Sequence, residues 1–163
     1  MATVDELALL SKAAYGGSSE ALPPYWTQIN IDQYGNFFTD PNTGFAGALY
    51  GHISGVGADG KYIYDQVVMA IRGTQPTSIT DLLNDFDIMK GNDFEQEVSL
   101  IPFYNAINAT LPNLNLTANV EKYITGQSLG GALAELLGAT TGIETVTFEA
   151  FGAAYLNSSP QYT

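Results

Sequence analysis

The chain holds 163 residues, 45% of them apolar and 13% charged, the profile of one globular domain spanning residues 1–163 around a single core. Seventeen acidic against five basic side chains leave a net charge of −12, which repels phosphate backbones and anionic bilayers and excludes nucleic-acid binding. With no cysteine, and with His52 the sole imidazole, the sequence excludes disulfides, thiolate-held metals, a cysteine nucleophile and a histidine-rich metal centre, so no cofactor is expected.

The amino terminus places Asp5 and Glu6 where a secretory signal would be basic, and no apolar run approaches the roughly 18 residues that span a bilayer. No signal peptide or transmembrane segment is expected, which leaves the cytoplasm, or export as part of a longer parent, as locations. Thr3 and Glu6 form a Thr-x-x-Glu capping box ahead of Val4, Leu7, Ala8 and Leu10, which predicts a short helix ending at Gly16-Gly17. From Ala21 to Thr43, prolines and scattered aromatics predict an irregular segment with short strands, one over Thr27–Asp32. Phe45–Ile53 and Tyr62–Ile71 are apolar or aromatic runs separated by Gly55, Gly57 and Asp59-Gly60, a hairpin signal. The unbroken run Val67-Val68-Met69-Ala70-Ile71 fits a central strand buried on both faces.

Ser78 and Asp81 cap a predicted helix with Ile79, Leu82, Leu83, Phe86 and Met89 at helical spacing. A second helix is expected over Asp93–Thr110, kinked or split by Pro102, then a loop over Leu111–Asn119. Val120–Thr125 reads as a strand, Gly130–Leu137 as a helix and Thr145–Phe151 as another strand. Alternation of strands with helices after the hairpin predicts an α/β layer sandwich with a mostly parallel central sheet and an antiparallel hairpin at one side.

Two segments carry chemistry. Gly126-Gln127-Ser128-Leu129-Gly130-Gly131 lies between a predicted strand and a predicted helix, the setting a nucleophile elbow requires. Gly126 and Gly130 admit backbone too close for a β-carbon, while Ser128 is expected in strained dihedrals with its hydroxyl exposed. The helix amino end directs its amides at the serine and favours an oxyanion. The other segment, Val68 to Thr74, is a buried strand ending in a glycine turn with a hydroxyl residue. Carboxyl ends of neighbouring parallel strands converge on one crevice, so the Thr74 amide, helped by its hydroxyl, and the Leu129 amide are expected to serve as paired oxyanion donors.

Ala70-Ile71-Arg72-Gly73-Thr74 with Asp81 and Asp85 downstream, together with Gly126 to Ala134, resembles the class 3 lipases of the α/β-hydrolase fold. The resemblance runs from about Phe45 to Gly152 and leaves the first 44 residues unmatched. It implies hydrolysis of carboxylic esters, acylglycerols or phospholipids, with Ser128 as nucleophile and Thr74 and Leu129 lining the oxyanion hole. Gln127 stands where that family usually has histidine, Leu82 replaces a usual tryptophan, and Val98 to Phe103 lacks the family's His-x-Gly-Phe pattern.

In that fold the triad runs serine, acid, histidine, yet no histidine follows Ser128. Glu135, Glu144 and Glu149 come too early to match the family acid, and His52 reads as a polar surface or sheet-edge residue. The expectation is therefore a partial α/β-hydrolase lacking the C-terminal strands. Its edge strand near Thr145–Phe151 would self-associate or take a C-terminal complementing segment that also supplies the acid and base. The alternative is a catalytically incomplete lipase-like binding or interaction module. The acidic residues Asp81, Asp85, Asp87, Asp93, Glu95 and Glu97 lack calcium-loop spacing and read as a solvated face, and Arg72 is expected to be partly buried against Asp81 or Asp85.

Overall fold

A computed structural model describes residues 1–15, 21–72 and 95–148. Helix α1 (Val4–Ala13) begins at the expected capping box: the Glu6 N–H donates to Thr3 Oγ1 at 3.1 Å and the Thr3 N–H to Glu6 Oε1 at 3.0 Å. Strand β1 (Trp26–Ile29) lies within the irregular segment, as does a strand the sequence pattern did not mark, β2 (Phe38–Asp40). The hairpin forms as β3 (Phe45–Val56) and β4 (Tyr62–Arg72). A short 3₁₀ turn over Glu95–Ser99 leads into α2 (Leu100–Thr110), so the segment around Pro102 is in two pieces. The break falls ahead of the proline, which occupies the first turn of α2, where its missing N–H has no helical acceptor to lose. Ser99 Oγ, donating to Asp40 Oδ2 at 2.8 Å and 2.7 Å from Thr43 Oγ1, ties that break to the β2–β3 turn.

The expected loop over Leu111–Asn119 is mostly strand. After a 3₁₀ turn at Leu111–Asn113, β5 runs from Asn115 to Gln127, with an irregularity opposite Tyr64–Gln66 that conceals its first half from a simple alternation rule. Helix α3 (Leu129–Thr141) and strand β6 (Glu144–Phe148) follow. The predicted helix from Ser78 to Met89 lies outside the described residues.

The six-stranded sheet has the order β1-β3-β4-β5-β6, with β2 also on β3. It is mixed rather than mostly parallel: β1–β3, β2–β3 and β3–β4 are antiparallel, whereas β4–β5 and β5–β6 are parallel. The short strands β1 and β2 account for the difference: both add to β3 antiparallel, β2 through a tight turn over residues 41–44 that permits no other pairing, and β1 across the longer stretch that holds β2. The architecture is a layered α/β fold. Among the described residues β6 pairs with β5 alone.

Two cores flank the sheet. Val67, Met69 and Ile71 of β4 face Leu100, Phe103, Ile107, Leu133 and Leu137 of α2 and α3, while Val68 and Ala70 face Leu7, Leu10 and Ala14 of α1. The strand is thus buried on both faces, as its unbroken apolar run predicts. Each fully buried Leu, Ile or Phe contributes about 1.5–3 kcal/mol, and both layers rest on β4 and β5, the strands whose ends carry the site. No helix among the described residues is long and apolar enough to cross a membrane.

Candidate functional site

The parallel pairing of β4 with β5 sets Ile71 beside Gly126, so the two strands end side by side. From that edge the chain turns at Ser128 into α3. Gly126 is required by close approach: a β-carbon there would sit 2.4 Å from the Gly130 carbonyl oxygen and 2.6 Å from its carbon. Both obstacles are backbone and have no rotamer by which to move aside. A β-carbon on Gly131 would be 3.3 Å from the Gly126 oxygen, so this turn of helix lies tight on the strand.

Ser128 has φ 55° and ψ −126°. Tyr25 and Gln33, like Ser128, have positive φ and lie in turns; the ψ of Ser128 removes it from the left-handed helical well altogether. Its N–H donates to the Phe148 carbonyl of β6 at 2.8 Å, and its own carbonyl accepts from Gly131 and Ala132. A serine at a helix N-cap ordinarily accepts a bond from a first-turn amide; here no such bond forms, because the dihedrals depart from the extended conformation that capping needs. The early amides of α3, Leu129 and Gly130 among them, have no acceptor one turn back in the helix.

The strained turn expected at Ser128 is present, whereas the exposed hydroxyl is not. The residue is half-buried, and its Oγ is buried without a hydrogen-bond partner among the described residues, a state shared there only by Gln66 Oε1. Sequence spacing reports the backbone bend but not what packs above it. Leu129 is buried at the start of α3. Thr74, the other expected oxyanion donor, lies outside the described residues, as do Asp81, Asp85 and Glu149; β4 ends at Arg72, two positions before Thr74.

His52 does not join this site. It sits on β3, opposite Gln66, which in turn is level with Glu121 of β5, seven residues before Ser128. At about 3.3 Å per residue along a strand and 4.8 Å between strands, roughly 20 Å or more separates the imidazole from the serine. Nor is it a sheet-edge residue: β3 lies between β1 and β4. Its Nδ1 is 2.7 Å from Asp65 Oδ1, and its ring meets Trp26 and Tyr25 edge-on with centroids 5.2 and 6.3 Å apart. The register shift in β4 beside Asp65 supplies that partner. Tyr64 and Val67 both face the α2–α3 layer, so the two residues between them turn to the α1 side with His52. Nearby, the Trp26 indole donates to Glu6.

Of the acids after the serine, Glu135 is exposed on α3 and accepts from Thr147 Oγ1 at 2.9 Å, while Glu144 begins β6 opposite Tyr123, at the far end from Ser128. Neither is at the elbow. No cluster of three or more potential metal ligands occurs among the described residues. Arg72 is half-buried, and its Nη1 donates to the Tyr15 carbonyl at 3.1 Å. Tyr15 also donates its hydroxyl to the Gln127 carbonyl at 3.0 Å, a contact across 112 positions that no local sequence signal announces.

Residues 6–158 match the family model described as "Phospholipase-like: Tle-like phospholipase domain". The chain belongs to this family. The Tle-like phospholipase match supports a lipase- or phospholipase-like hydrolase without singling out class 3 lipases, and its span takes in most of the first 44 residues, where motif reading found no relative. No solved structure matches the chain.

Proposed function

We propose that the chain carries the nucleophile of a serine ester hydrolase of the lipase and phospholipase type, with Ser128 as nucleophile and the Leu129 and Thr74 amides as oxyanion donors, in the manner of class 3 lipases. The observation that carries the reading is the coincidence, at one residue, of a forbidden backbone conformation and an unpartnered buried hydroxyl. Strain of this kind costs about 1–3 kcal/mol and an orphaned hydroxyl a similar amount. Packing alone gives no return for either, whereas a reacting serine needs both a fixed bend and an uncommitted oxygen. Family membership supports a lipid as the substrate, and we take the bond cleaved to be a carboxylic ester.

In the proposed reaction Oγ adds to the ester carbonyl carbon as its proton passes to a general base. The negative oxygen forms beside the α3 amides, each such donor contributing roughly 3 kcal/mol. Collapse breaks the bond to the alcohol, which takes the proton, and water then releases the acid from Ser128. With the only imidazole of the sequence at the other end of the sheet, a histidine base would come from outside these 163 residues. A fluorophosphonate incubated with the full native polypeptide is expected to modify Ser128, located by peptide mass spectrometry. An unmodified Ser128 in a folded, full-length sample would sink the assignment.

The distance from His52 and the burial of Oγ favour a second reading, a lipase-like module that binds an acyl chain or a partner without turning it over. In it, β6, which among the described residues pairs with β5 alone, offers its other edge to another strand. Under that reading Ser128→Ala changes neither ester turnover nor binding.

A further inference from the structure

We propose that Tyr15 is a positioning residue for the Ser128 elbow, fixing with its phenol the peptide that precedes the serine and with its carbonyl the end of β4. The inference rests on the serine-hydrolase reading. The Gln127 carbonyl and the Ser128 N–H belong to one peptide unit. Tyr15 holds the oxygen of that unit at 3.0 Å, and the Phe148 carbonyl holds its N–H at 2.8 Å. Since φ of Ser128 is the rotation of its Cα substituents against this plane, a plane gripped at both edges lets the residue keep φ at 55° instead of relaxing.

The grip needs a rigid origin, and Tyr15 has one. Its N–H donates to the Lys12 carbonyl at 3.0 Å, continuing the helical turn, and α1 is fastened to the sheet by Leu7, Leu10 and Ala14, all buried. Arg72 closes the arrangement by donating to the Tyr15 carbonyl at 3.1 Å. One residue therefore ties the last position of β4, two short of Thr74, to the last peptide of β5, and so sets the spacing between the two strands that would supply the oxyanion donors. Burial pushes the Tyr15 hydroxyl up to about 12 despite the opposing pull of the Arg72 guanidinium, so it stays a donor throughout the neutral range.

Tyr15→Phe keeps the ring and removes only the donor. Two measurements on the folded variant decide the matter: amide hydrogen exchange at Ser128 and Leu129, and the rate of fluorophosphonate labelling in the full native polypeptide. The expected result is faster exchange confined to the elbow and labelling slowed on the order of tenfold, the worth of one misplaced hydrogen bond at a reacting centre. Ile107→Val serves as the stability control. It thins the core on the α2 face, away from α1 and Tyr15, and is expected to lower the urea midpoint while leaving the labelling rate of the folded fraction unchanged. Unchanged elbow exchange in Tyr15→Phe overturns the clamp, and changed exchange with undiminished labelling overturns its role in positioning. If the wild type itself fails to label, the hydrolase reading and the catalytic half of this inference fall together, while the exchange comparison still decides whether the phenol holds the peptide.

Discussion

At one end of the sheet Ser128 combines a strained backbone with an unpartnered oxygen, whereas at the other His52 sits in a paired strand with its ring nitrogen on Asp65 and its edges against Trp26 and Tyr25. A histidine and an aspartate in hydrogen-bonding distance are two thirds of a hydrolytic triad by inventory. Placement cancels the inventory: register through β3, β4 and β5 sets them roughly 20 Å or more from Ser128, the only positive-φ serine among the described residues. His52 and Asp65 are partnered with each other, while Ser128 Oγ has no partner among the described residues. An unpartnered atom alone does not separate the two ends, since Gln66 Oε1 beside His52 is also buried without a partner among the described residues; what sets Ser128 apart is that its orphaned oxygen sits on a positive-φ backbone.

The largest test of that contrast is removal of the serine oxygen. Ser128→Ala is expected to reduce labelling and ester turnover of the full native polypeptide to background, a loss on the order of 10⁴-fold or more. Ser128→Gly should lose the same activity and gain stability, by about 1–2 kcal/mol after allowing for glycine's extra chain entropy, because strain and orphaned hydroxyl vanish together. Urea denaturation measures the gain; a glycine variant less stable than wild type would show that the bend is not strained.

Gly126→Ala attacks the same end through its backbone. With a β-carbon 2.4 Å from the Gly130 oxygen, either β5 or α3 must shift, and a loss of about 3 kcal/mol is expected along with labelling of Ser128. A variant that melts and labels like wild type would mean that the elbow tolerates a side chain where the structure leaves no room. At the opposite end, His52→Ala and Asp65→Asn should each leave labelling within about twofold and cost about 1 kcal/mol or less, as befits a partly exposed hydrogen-bonded pair. A large fall in labelling for either would bring His52 into the chemistry and undo the comparison.

Legibility in the sequence follows the range of the interactions. The capping box of α1, the hairpin glycines, the doubly buried run of β4 and the Gly-x-Ser-x-Gly bend are local patterns, and each appears where the residues place it. The first half of β5 and the partner of His52 were not legible, because both depend on irregular pairing around Tyr64–Gln66, which shifts side chains between faces without a residue-type signal. The mixed character of the sheet was obscured by β1 and β2, too short to show alternation. Burial of Ser128 Oγ and its tie to Tyr15 are set by elements distant in the chain, so the glycine motif is silent on both.

The smallest expected effect sharpens the comparison by showing what a partnered carboxylate does contribute. Burial pushes the Glu6 carboxyl up, but the Thr3 N–H, the Trp26 indole and the Thr3 hydroxyl together hold it below its usual 4.5, with the nearby His52 adding to the same side. A carboxyl lowered in the folded state adds stability that is present above its unfolded value and is lost as pH falls through the folded one. Glu6→Gln should therefore cost a little at pH 7, about 1 kcal/mol or less including the weakened capping box, and progressively less as the folded carboxyl becomes protonated. The urea midpoint of wild type is expected to approach that of the variant as the pH drops through the carboxylate range. Parallel midpoint curves would show that Glu6 acts by shape and not by charge, whereas converging curves would show that a carboxylate charge held by Thr3 and Trp26 stabilises this end of the sheet.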